Sequence, residues 1–198
     1  MMDPQREHRI LELLTDDPSV ILMFKSEETT ENMWKIAIEN EPSLFQNMPN
    51  PSHEMVLYAL SQDGANLRYL RKHGIPLTPE YIYAAVDNYP GAIFMVPETL
   101  WSTKLKEFAC SKDTSLMKEI SLSRSYIESQ LKRDPTLVRF LPNPTEAQLC
   151  AAIDSNPSVC AYITDFTPRM IELIQSKYPS LISLIPRLKD KISELNET

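Results

Sequence analysis

The chain has 198 residues and a net charge of −7, from 20 Lys and Arg against 27 Asp and Glu, and its 42% apolar content is enough for a core, which excludes a disordered polypeptide. Sixteen Pro beside only three Gly argue against tight-turn β architectures and Gly-rich phosphate loops, and suit short helices restarted many times. No apolar run reaches the ~18 residues that a bilayer span requires.

The first segment, Met1 to Glu12, is charged and lacks the apolar stretch of a signal peptide, so a cytoplasmic location is expected. Within it, Arg6 to Leu14 reads as a charged amphipathic helix that caps the elements to follow. From Pro18 onward one phrase recurs, Pro-Ser-aliphatic, at Pro18, Pro42, Pro157 and Pro179, with looser copies starting at Gly64, Pro90, Thr114 and Pro135. Successive anchors are 24, 22, 26, 24, 21, 22 and 22 residues apart. A period of this kind is the signature of a stacked-repeat architecture.

Each anchor is expected to open a short helix of about two turns, because Pro fits a first helical turn whose N–H has no partner. The second and sixth residues after the anchor are apolar pairs: Val20/Phe24, Leu44/Met48, Leu116/Ile120, Leu137/Leu141, Val159/Ile163 and Leu181/Ile185. An i, i+4 pair shares a helical face. Pro49, Pro97, Pro142 and Pro186 then stop the element.

A second, longer helix precedes each anchor. The position twelve residues upstream is Thr30, Ser52, Thr78, Ser102, Ser123, Thr145 and Thr167, all hydroxyl residues suited to an N-cap. Pro79 and Pro168 follow at the first helical position. Five residues before the anchor stand Ala37, Ala59, Ala85, Ala109 and Ala152, with Gln130 and Ile174 as exceptions. A small residue repeated there lets helices approach closely. No sustained period-2 alternation points to strands.

One such hairpin cannot bury its own apolar face, whereas a stack of them can. The pattern therefore predicts an all-α fold over a single domain, 1–198: an α-solenoid of about seven to eight helical-hairpin repeats, 21–26 residues each. Residues 1–29 would form an N-terminal capping unit, 30–187 the repeats, and 188–198 a polar C-terminal cap helix.

The middle units, above all Glu54 to Leu70 and residues 78–96 (Thr78, Ala84, Ala85, Pro90, Ala92, Ile93), resemble a known repeat. It is the short α-helical-hairpin repeat of a domain of unknown function found in bacterial, phage and large-virus proteins. This chain departs from that pattern in favouring Pro-Ser over Gly-Ala at the turn. The resemblance implies a binding scaffold with no catalytic residues to transfer, and a phage or viral protein that modulates a host factor in the host cytoplasm.

Signals for chemistry are sparse. No nucleophile elbow, Walker A loop, zinc-protease helix or dinucleotide fingerprint is present, and no cofactor is expected. Cys110, Cys150 and Cys160 form no C-x-x-C, and His8, His53 and His73 are scattered, so no metal site is expected. The cysteines read as core thiols in a reducing compartment. Asp16-Asp17 and Glu27-Glu28 lie beside helix starts, where the helix dipole accounts for them. The basic cluster Arg68, Arg71, Lys72 and His73 suits either a helix C-terminus or contact with an acidic partner.

The repeat alignment offers candidate binding residues. Four residues after the anchors stand Gln46, Arg68, Phe94, Lys118, Arg139, Ala161 and Ser183, a variable row among apolar neighbours. Arg68, Phe94, Lys118 and Arg139 are expected on an exposed face that meets a partner of acidic character. Seven residues before the anchors, Leu57 and Tyr83 interrupt a mostly polar row. They form either an exposed apolar patch or packing beneath the turn Arg71–Leu77.

Charge is unequal along the chain: residues 1–60 hold 11 acids and 4 bases, while 61–198 hold 16 of each. Together these features point to a non-enzymatic protein-binding scaffold with another protein, such as a host factor, as its partner and no membrane role. Two alternatives are an acidic decoy that inhibits a nucleic-acid-binding enzyme of the host, and a repeat protein that reads nucleic acid. The net charge and the lack of a regular stacking position argue against the latter.

Overall fold

The computed structural model describes residues 4–196, which are all-α with no strand among them. Met1–Asp3, Glu197 and Thr198, at the tips of the two expected capping segments, lie outside the described residues. The helices gather into two compact units, one ending at Asp113 and the other beginning at Thr114.

The first unit contains α1 (Pro4–Asp16), α2 (Glu31–Asn40), α3 (His53–Gln62), α4 (Pro79–Asn88) and α5 (Thr103–Lys112). The second contains α6 (Arg124–Arg133), α7 (Glu146–Ser155), α8 (Pro168–Lys177), α9 (Ser180–Leu184) and α10 (Pro186–Asn196). In the first unit consecutive helices from α1 to α5 pack side by side; in the second α7 packs on α8. Between them, short helices form a second layer in each unit, Pro42–Asn47 on Gly64–Tyr69 on Pro90–Met95, and Thr114–Lys118 on Pro135–Phe140 on Pro157–Tyr162.

All seven hydroxyl residues of the upstream column are N-caps. The side chains of Thr30, Ser52, Thr78, Ser102, Ser123, Thr145 and Thr167 accept from the N–H groups of Met33, Met55, Tyr81, Leu105, Tyr126, Gln148 and Met170. Each helix then runs ten residues and ends where one extended residue turns the chain. The N–H of that residue closes on the carbonyl of the small-residue column, as in Asp63 to Ala59 (3.1 Å) and Tyr89 to Ala85 (2.8 Å).

The short element differs from the expected two-turn α-helix. After the turn it is a six-residue 3-10 helix in most hairpins, and only the last hairpin places an α-helix there, Ser180–Leu184. Its start is held by a side chain not foreseen in the pattern: the oxygens of Asp17, Asp63, Asp134 and Asn156 accept from the N–H two residues on. This local Asx bond competes with α-helical pairing and, with Pro lacking an N–H, favours the tighter winding.

A 3-10 helix has three residues per turn, so the third and sixth residues after the anchor share a face. The third-residue column is buried at Ile21, Phe45, Leu67, Ile93, Met117, Val138 and Cys160, and half-buried at Ile182 in the last hairpin, where the element is an α-helix. The expected apolar pairs are buried at Leu44/Met48, Leu116/Ile120, Leu137/Leu141 and Val159/Ile163, and half-buried at Val20/Phe24 and Leu181/Ile185.

Ala37, Ala59, Ala85 and Ala109 are fully enclosed and Ala152 nearly so. A close approach is made at α4, where a Cβ built on Gly64 would lie 2.1 Å from the carbonyl oxygen of Ala85. The Gly64 N–H donates to Asn88 Oδ1 (2.8 Å), and Asn88 Nδ2 donates back to the Ser61 carbonyl (2.7 Å). One repeat earlier the buried Asn66 amide donates to the carbonyls of Pro42 and Ala59, both at 3.0 Å. Apolar contact and satisfied backbone groups thus hold neighbouring hairpins together.

Replacing Ala85 by Leu is expected to overpack this contact and cost about 1–3 kcal/mol in denaturant unfolding. Gly64→Ala should also lower the transition, because its obstacle is a backbone carbonyl that cannot rotate away. An unchanged midpoint for both variants would refute the close-approach account.

Candidate functional site

Four of the six sequence-derived candidates, Arg68, Phe94, Lys118 and Arg139, are exposed. The reason is register on the 3-10 helix: with the second, third and sixth residues after the anchor facing inward, the fourth faces solvent and the fifth lies at the edge of the buried face. Leu57 and Tyr83 are only half-buried. Tyr83 packs on Phe108 of the next helix, with ring centroids 5.2 Å apart. It therefore belongs to the α4–α5 contact and makes no open patch.

In the first unit Arg68 and Phe94 occupy equivalent positions on adjoining 3-10 helices. Arg68 Nε donates to the Ala65 carbonyl (2.9 Å), and its guanidinium lies 6.0 Å from the Tyr69 ring. Phe94 meets Trp101 edge-on at 5.8 Å, while Trp101 Nε1 donates to the Val96 carbonyl (2.9 Å). Phe94 and Leu100 are both nearly half exposed.

In the second unit the candidates join a continuous ladder. The Lys118 ammonium lies 5.3 Å from the Phe140 ring, and the Arg139 guanidinium lies 4.6 Å from the same ring. Arg139 also lies 5.1 Å from the Tyr162 ring and donates to its hydroxyl at 3.2 Å. Phe140 and Tyr162 lie outside the variable row because they sit one residue later, five after the anchor. The signal was available: that position reads Met23, Tyr69, Met95, Phe140, Tyr162 and Leu184 in six of the repeats.

Arg68, Lys118 and Arg139 make no ion pair among the described residues. The carboxylates that are paired lie elsewhere, as in Glu28 with Arg6, Asp87 with Lys112, Glu128 with Arg124 and Asp154 with Lys177. The ladder cations lie against aromatic faces and are exposed to solvent.

The other sequence candidates are structural. In the basic cluster Arg71 and Lys72 are exposed, whereas the His73 ring lies on Phe45 with centroids 5.0 Å apart. His73 Nε2 is 3.1 Å from the Phe45 carbonyl, so the ring carries its proton there. Burial lowers the His73 pKa below its usual 6.5, the carbonyl bond opposes this, and nearby Lys72 adds to it. Asp17 accepts from the Ser19 N–H (3.1 Å) and hydroxyl (2.6 Å), and Glu28 accepts from the Lys25 N–H (3.2 Å).

Burial pushes the Cys110 thiol up to about 11, helped by Asp113, and also raises Cys160. Cys150 is half-buried and raised as well, against the opposing pull of Arg169. None is activated as a nucleophile, which needs a lowered pKa. Among the described residues no three His, Cys, Asp or Glu side chains converge where they could hold a metal ion, and no helix is long and apolar enough to cross a membrane. Comparison of the chain with protein families, curated proteins and solved structures finds no match.

Because the His73 pKa is lower in the folded state, protonation favours unfolding. Its stabilising contribution is complete above about 6.5 and declines as pH falls through that value toward the folded pKa. Urea titrations at pH 7.5 and 5.5 should show a smaller pH-dependent loss for His73→Gln than for the native chain. An equal loss in both would remove His73 from the acid response.

Proposed function

We propose that this chain is a non-enzymatic protein-binding scaffold whose 3-10 edge in residues 114–198 takes an acidic, extended segment of another protein. The ladder Lys118–Phe140–Arg139–Tyr162 carries the reading. It sets two cations and two aromatic faces in alternation, without carboxylates to neutralise them. Cation–π contacts at exposed sites are worth about 0.5–1 kcal/mol each, enough to bias long side chains toward one arrangement. A partner carboxylate then meets a guanidinium that is already oriented, and less rotamer entropy is lost on binding.

Charge also favours a polypeptide over nucleic acid. Residues 1–113 carry 17 acidic and 10 basic side chains, whereas residues 114–198 carry ten of each. The whole net −7 thus belongs to the first unit, which disfavours a phosphate backbone as the general partner. At ordinary salt, screening over about 10 Å lets the ladder act locally despite that excess. A host factor is the kind of partner implied by the resemblance to repeats from phage and large viruses.

The test is a fluorescence-anisotropy titration with a labelled peptide rich in Glu and Tyr. The double reversal Lys118→Glu and Arg139→Glu should weaken binding about tenfold or more, while the melting temperature stays within about 3 °C. Equal affinity in the two proteins would sink the ladder as the binding edge. Tighter binding of a single-stranded oligonucleotide, falling steeply with salt, would transfer the surface to nucleic acid.

A further inference from the structure

In the second unit one long helix breaks the packing rule of the others. Each of α2, α3, α4, α5, α7 and α8 has buried residues, but α6 has none. It rests on the 3-10 helix Pro135–Phe140 and makes at most marginal contact with α7. At the position where most of the helices carry an enclosed Ala, α6 carries a half-buried Gln130. Ile174 of α8, the other exception in that column, is apolar and fully buried, whereas the polar amide of Gln130 gains nothing from enclosure without hydrogen-bond partners.

The consequence is a cavity of about 800 Å³ between α6 and α7. Its floor and walls include Met117, Ile120, Ile127, Leu131, Leu141 and Ala151. Ile127 and Leu131 would be core side chains in a closed hairpin, and here they remain half exposed. On the rim, Arg124 is neutralised by Glu128 at 2.7 Å, but Lys132 has no carboxylate partner among the described residues.

We infer that this groove is a docking site for an amphipathic helix of a partner protein that presents an apolar stripe inward and acidic residues toward Lys132. Three features select that occupant. The cavity is open along one side, so a wholly apolar ligand would keep much of its surface in water, whereas an amphipathic helix turns its polar face there. The two walls are ten-residue helices, about 15 Å long, which matches some three turns of a third helix. The rim carries one uncompensated positive charge, which favours carboxylates over lysines on the guest. Recognition would be of the helix-in-groove kind, with anchors at i, i+3 or i+4, and i+7. The site does not depend on the cation–aromatic ladder.

The test is selection from a display library of random peptides of about sixteen residues on the full chain, with Ala151→Trp as the counter-target. Ala151 is exposed on α7, so the indole should fill the groove without entering the core, and an unchanged melting temperature checks this. Expected binders show apolar residues at helical spacing with net negative charge, and lose affinity about tenfold or more on Ala151→Trp. Lys132→Glu should reduce the preference for acidic peptides. Binders that ignore both substitutions, or a selection that yields none, would overturn the inference. Saturable uptake of dodecanoate that Ala151→Trp blocks, with no helical peptide competing, would overturn it in favour of a small apolar ligand. A concentration-dependent dimer dissolved by Ala151→Trp would overturn it in favour of a second copy.

Discussion

How closely one helical hairpin can approach the next governs this protein. Ten-residue helices are too short to be stable alone in water and depend on tertiary packing. Packing at close range requires a small residue on the contact and a satisfied backbone at the bend. The fully enclosed Ala37, Ala59, Ala85 and Ala109 meet the first need. The extended residue after each helix, whose N–H closes on the carbonyl of that same column, meets the second. Gly64 against Ala85 is the limiting case, where even a β-carbon cannot be placed.

The same constraint explains where the protein is open. In α6 the column carries the polar Gln130, the helix has no buried residue, and an apolar groove of about 800 Å³ lies between it and α7. Exposing that much apolar lining has a free-energy cost that scales with area, roughly 25 cal/mol per Å². Within the second unit, α7 and α8 keep their buried faces and pack on each other, so the unit can carry one such site.

Surface chemistry follows from the 3-10 winding in the second layer. The winding turns the second, third and sixth columns inward, leaves the fourth in solvent and sets the fifth at the edge. In the second unit these outward columns bring Lys118 and Arg139 onto Phe140, and Arg139 onto Tyr162. The net charge of the chain resides in the first unit, so the neutral second unit can display local positive charge.

Features determined within a few residues were legible in the amino-acid sequence by itself. The Ser/Thr caps, the Pro anchors, the Ala column and the all-α class all express bonds or steric limits spanning less than one repeat. The exposure of Arg68, Phe94, Lys118 and Arg139 was legible for the same reason, since it follows from register against buried neighbours. What tertiary structure alone decided lies in contacts between repeats. Tyr83 reads equally as exposed apolar surface or as packing beneath the turn Arg71–Leu77, and it is Phe108, 25 residues away, that it meets. The 3-10 winding is a local feature that the apolar pattern did not carry: Asp63, Asp134 and Asn156 accept from the N–H two residues on, a bond specified by residue type and not by periodicity. The ladder and the α6 groove depend on distances between stacked elements, and a periodic sequence pattern carries no distances: it shows which residues share a face and leaves open how near the next face stands.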